Sequence, residues 1–103
     1  MTIITKDNFN DIIKNNKEVI IDFWAPWCTP CKALGPLIEE VSERYPNIVF
    51  GKVNVDEEPE LANLFRVEGI PYVAKVVDQK LVDSFVGFNT EDYVEEFFAR
   101  KTK

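Results

Sequence analysis

The chain's only two cysteines stand three residues apart in Trp27-Cys28-Thr29-Pro30-Cys31-Lys32, between an apolar strand-like run and an amphipathic helical pattern. A thiol at a helix N-terminus faces unpaired backbone N–H groups and the positive end of the helix dipole, and both stabilise a thiolate. A second thiol one turn further on shares that side of the helix and can close a disulfide with the first. The pair suits thiol–disulfide exchange, with Cys28, outermost, as the attacking nucleophile and Cys31, shielded, as the resolving thiol. Two other readings use the same residues. A structural cross-link around so small a loop contributes only ~2 kcal/mol. Half of a zinc site would require four nitrogen or sulfur ligands, and the chain has two cysteines and no histidine. The missing histidine also removes Ser-His and Cys-His catalysis.

Hydrophobic periodicity predicts the elements that position this pair. Glu18 to Trp24 is a near-continuous apolar run, the pattern of a strand buried on both faces in a parallel sheet. From Pro30 to Tyr45, the residues Leu34, Leu37, Ile38, Val41 and Tyr45 fall on one helical face. Pro30 has φ preset for a first helical turn, whereas Pro36 lies inside the helix and predicts a kink there. Phe9, Ile12 and Ile13 predict a short earlier helix, residues 2–5 an edge strand, Ile48 to Val55 a strand, and Pro59 to Phe65 a brief helix. Val73 to Val77 and Leu81 to Val86, separated by Asp78-Gln79-Lys80, predict a hairpin. Thr90 predicts an N-cap for a last helix that turns Tyr93, Val94, Phe97 and Phe98 inward.

The order β-α-β-α-β-α-β-β-α specifies an α/β fold: a central mixed sheet flanked by helices on both faces, with the cysteines at the carboxyl end of a central strand. At 103 residues, with no repeat or linker, the chain is expected to form a single domain over residues 1–103. Its formal charge of −6 is scattered, which argues against nucleic acid or an anionic membrane as partner. No window approaches the ~20 apolar residues of a membrane span, and the N-terminus has no basic segment leading into an apolar stretch. Those features predict a cytoplasmic location, where a Cys-x-x-Cys pair is redox-active or metal-binding rather than structural.

One further group carries chemistry. Asp22 interrupts Val19-Ile20-Ile21-Asp22-Phe23-Trp24, so in a doubly covered strand it is buried with its pKa raised; at a solvated strand end it would be ordinary. Trp24 reads as a packing residue, because large aromatics mostly fill cores.

From end to end the chain resembles the thioredoxin family. The likeness is carried by Val19-Ile20-Ile21-Asp22-Phe23-Trp24-Ala25-Pro26-Trp27-Cys28-Thr29-Pro30-Cys31-Lys32, Lys52-Val53-Asn54-Val55-Asp56, Gly69-Ile70-Pro71 and Val86-Gly87. The resemblance implies a thioredoxin fold and a general protein-disulfide reductase cycling Cys28 and Cys31 between dithiol and disulfide, with no bound cofactor or metal. It implies that Asp22 lies beneath Cys31 and takes its proton, and that Lys52 partners Asp22; by its own pattern Lys52 equally fits a solvent-facing lysine. It also implies a cis Ile70–Pro71 bond and a docking surface of Trp27, Pro30, Ile70, Pro71, Gly87 and Phe88, where an extended client segment pairs with the Ile70 backbone. The implied partners are thioredoxin reductase, as electron donor, and disulfide-containing client proteins, met by a monomer. Three positions depart from the family's pattern. Thr29 replaces a glycine and bears on the redox potential, Tyr72 replaces a threonine beside the docking surface, and Asp78-Gln79-Lys80 lacks the usual turn glycine.

Overall fold

The computed structural model describes residues 1–101, which form β1 (Thr2–Ile3), α1 (Phe9–Asn15), β2 (Glu18–Trp24), α2 (Thr29–Ser42), β3 (Val49–Asn54), α3 (Pro59–Leu64), β4 (Tyr72–Val77), β5 (Lys80–Val86) and α4 (Glu91–Ala99). The element order is the expected one. The five strands make one sheet in the order β1-β3-β2-β4-β5. β1, β3 and β2 run parallel, and β4 and β5 are antiparallel to their neighbours. β2 is therefore central, and the loop at its carboxyl end leads straight into α2.

Strand parity divides the interior into two cores, because successive side chains leave a strand on opposite faces. Val19, Ile21 and Phe23 of β2 join Phe9, Leu61, Tyr72, Ala74 and Val76. Ile20 joins Leu34, Ile38 and Val41 of α2, Phe50, Val73, Phe85, and Val94, Phe97 and Phe98 of α4. Fully burying each such side chain is worth about 1.5–3 kcal/mol, so both faces hold the register tightly. A one-residue slip of β2 would exchange the two sets and carry Asp22 to the wrong face. In its native register Asp22 shares the Ile20 face, beneath α2.

Three local features complete the frame. The hairpin turn is two residues, Asp78 and Gln79, both left-handed at φ 50° and 67°, so Lys80 already belongs to β5. Paired left-handed residues match the twist of a hairpin, and the missing glycine is a matter of turn chemistry. Thr90 caps α4 as expected: its Oγ1 accepts the Tyr93 N–H at 3.2 Å. The other end of α4 is held by a residue the sequence did not single out. Lys75 of β4 is 2% exposed, and its Nζ donates to the carbonyls of Phe97 (3.2 Å), Phe98 (3.2 Å) and Arg100 (2.5 Å). These are carbonyls that a helix C-terminus leaves without intrahelical partners.

Candidate active site

Cys28 is the N-cap of α2, in an extended conformation (φ −90°, ψ 106°). Its Sγ accepts the Cys31 N–H at 3.3 Å, one of the donors that the helix itself cannot satisfy. The two cysteines are joined as a disulfide with Cα atoms 5.3 Å apart. Thr29 and Pro30 open the helix, both exposed, with the proline in the first turn; α2 continues through Pro36. Sequence reasoning placed Cys28 outermost, but the structure covers the two residues almost equally, leaving Cys28 5% and Cys31 3% exposed. The cover comes from Ala25, packed with the two cysteines, and from Trp24, Val55 and Ile70 against them.

Trp27 is 68% exposed, and its Nε1 donates to Asp56 Oδ2 at 2.9 Å. Asp56 was legible only as the end of the Lys52-Val53-Asn54-Val55-Asp56 segment. The Ile70–Pro71 peptide bond is cis, Pro71 is buried, and its carbonyl accepts the Gly87 N–H at 2.8 Å. Gly87 sits at φ 92°, which only glycine adopts without strain. Phe88 beyond it is exposed. Tyr72 does not join this face. Its parity is that of Ala74 and Val76, so the ring enters the core and meets Phe23 edge-on at 5.6 Å. A substitution beside the docking surface is thus a core substitution.

Asp22 is the buried charge of the site, 2% exposed. It shares a cleft of about 200 Å³ with Cys31, Trp24, Gly35, Pro36 and Lys52. Oδ1 has no hydrogen-bond partner among the described residues. Burial, opposed by the nearby Lys52 charge, pushes the carboxyl from 3.8 up to about 7. Lys52 is the register partner of Asp22 across β2 and β3. Among the described residues, however, the two form no ion pair within 4.0 Å. The Lys52 ammonium lies instead over the Trp24 ring, 5.1 Å from its centre. Trp24, read from the sequence as packing, therefore holds the cation that faces Asp22; the one available sign was its parity with Asp22, two residues on along β2.

Cys31 is thus bonded to the sulfur at the N-cap of α2 and shares a cleft with a carboxyl whose pKa burial raises to about 7, which is the disposition for proton-coupled thiol exchange. A thioredoxin family model matches residues 1–100. The chain belongs to the thioredoxin family. Thioredoxins are thiol–disulfide oxidoreductases whose redox group is the cysteine pair itself, so the family requires no cofactor. A thioredoxin 2 of Streptomyces coelicolor is 46% identical over 79 residues, 77% of this chain and 59% of that protein, so the chain spans less than two thirds of that relative's length. The thioredoxin of Mycoplasmoides gallisepticum is 36% identical over 94 residues, covering 91% of this chain and 94% of its own. A Plasmodium falciparum thioredoxin structure superposes with a TM-score of 0.89 at 35% identity, covering 94% and 95% of the two chains. No helix of the described residues is long and apolar enough to cross a membrane.

Proposed function

We propose that this chain is a general protein-disulfide reductase, acting as a monomeric single domain over residues 1–103 in the cytoplasm. The Cys28 thiolate attacks a client disulfide, forming one S–S bond and expelling a client thiolate. Asp22 then accepts the Cys31 proton through the cleft they share. The Cys31 thiolate attacks the Cys28 sulfur, closing the Cys28–Cys31 disulfide and expelling the second client thiolate. Two electrons pass to the client, whose two sulfurs take up two protons. Lys52 keeps the Asp22 carboxyl from rising further. Trp27, Pro30, Ile70, Pro71 and Gly87 receive an extended client segment, with the Ile70 backbone adding it as a strand. Thioredoxin reductase returns the electrons.

The observation that carries this reading is the placement of Cys31 between Cys28 at the helix N-cap and the buried Asp22 carboxyl. The test is a redox titration against dithiothreitol and glutathione buffers, followed by the fluorescence of Trp24 and Trp27. A two-electron transition clearly below the glutathione poise supports a reductant. A transition well above it identifies an oxidant or isomerase, and no transition leaves a non-catalytic interaction module.

A further inference from the structure

Gly35 stands inside α2, where glycine costs about 1 kcal/mol relative to alanine. It precedes Pro36, and a residue with a Cβ before proline is crowded in the helical region, which is one reason for a glycine here. The structure adds a second. Beyond its chain neighbours and the backbone of its own helix, a Cβ built at position 35 would meet a single heavy atom within 4 Å among the described residues, Asp22 Oδ2, at 4.0 Å. That distance is ordinary contact, so the position admits a small side chain without collision. Gly35 also lines the cleft that joins Asp22 to Cys31, and the other carboxyl oxygen, Oδ1, has no hydrogen-bond partner among the described residues. A buried carboxyl with a free oxygen must satisfy it with water if it is to ionise at all.

We infer that Gly35 is a positioning residue for the resolving step: its missing side chain keeps open the space through which the Asp22 carboxyl is hydrated and exchanges protons with Cys31. This inference rests on the role proposed above for Asp22. The charged and titratable groups facing Asp22 are few enough to follow. Lys52 comes from β3; Cys31, Lys32 and Glu39 come from α2, with Glu39 held by the Met1 ammonium at 3.1 Å. From β4 the register partner is the apolar Val73. None of them is altered by a change at position 35.

Two substitutions of nearly equal size give opposite expectations. Gly35→Ala puts a methyl against Oδ2, displaces water and further disfavours the carboxylate, so the Asp22 midpoint moves up. Gly35→Ser brings a hydroxyl within reach of Oδ2, donates to the carboxylate and moves the midpoint down. Each shift is expected to be about half a pH unit or more, read by NMR titration of the Asp22 carboxyl carbon in the disulfide form. Both variants carry the same crowding before Pro36, so a purely helical role for Gly35 moves them together or not at all. The pH profile of Cys31 resolution should shift with the midpoint in each variant. Opposite shifts with matching profiles establish the inference; midpoints that stay in place, or move in the same direction, overturn it. Asp22→Asn serves separately. If it resolves mixed disulfides at the wild-type rate, the role assigned to Asp22 fails, even where the titration shows that Gly35 governs hydration of the carboxyl.

Discussion

Asp22 and Lys75 are the two buried charged side chains among the described residues, each 2% exposed, on neighbouring strands of one sheet and on the same face. Their surroundings are opposite. The Lys75 ammonium has three protons and donates to three carbonyls at the end of α4, so its burial is fully compensated. Asp22 has an oxygen without a partner among the described residues, a cleft beside it and a cation held at a distance by Trp24. A satisfied buried charge fastens structure, whereas an unsatisfied one keeps its free energy sensitive to protonation. The difference separates a residue that holds the fold from one poised to move a proton, and neither burial nor charge alone would have made the distinction.

The sharpest way to break the comparison is to remove the satisfied partner. Lys75→Met keeps the apolar stem but orphans the carbonyls of Phe97, Phe98 and Arg100, so it should cost about 3 kcal/mol. For a domain of this size the melting temperature then falls by roughly 12 °C or more. Disulfide reduction by the fraction still folded should be unchanged. A loss under about 1 kcal/mol in denaturant unfolding would mean that the ammonium does not fasten α4.

Asp22→Asn should act in the opposite direction. Its native pKa of about 7 lies above the unfolded value near 3.8, so the native state holds the proton more tightly. Wild-type stability is therefore greatest below about pH 4, declines as pH rises through about 7, and is flat above that. The variant has no such decline. At pH 8 it should exceed wild type by about 2 kcal/mol, within an upper bound of ~4 kcal/mol for that shift, and at pH 4 the gap should close. Resolution of a Cys28 mixed disulfide should slow at least about tenfold above pH 7, with loss of the wild-type rise in rate through neutrality. Parallel stability curves for the two proteins would refute the buried, uncompensated carboxyl.

Lys52→Met refines the same contrast by a smaller step. Removing the cation that opposes burial should raise the Asp22 midpoint by about one half to one unit, so that resolution at pH 7 slows several-fold and recovers at higher pH. An unmoved NMR titration of Asp22 would assign Lys52 to its contact with Trp24 alone. The smallest effect is expected at the rim. Trp27→Phe loses the bond to Asp56 at an exposed position, so stability should change by no more than about 0.5 kcal/mol, and a several-fold rise in KM for a protein client should dominate. An unchanged KM would take Trp27 out of the docking face.

What was legible in the sequence was whatever short-range chemistry determines. The Cys28–Cys31 spacing, the proline opening α2, the cap at Thr90 and the alternation along β2 each depend on residues within a turn or a few strand positions, and each appeared with boundaries shifted by only a few residues. The run around Asp22 also carried its burial, because an acid between apolar neighbours on both sides has no solvated face to choose. The fate of Tyr72, Trp24 and Lys75 was decided elsewhere. Tyr72 turns inward because register with Phe23 and Val86 sets its parity, and Lys75 is buried because α4, more than twenty residues later, ends over it. The near-equal cover on the two cysteines likewise comes from Ile70 and Val55, brought in from distant segments. Local patterns choose helix or strand through backbone sterics and periodicity. Which polar group is satisfied and which is left free depends on the partners that packing brings from far along the chain, and that only the tertiary structure decides.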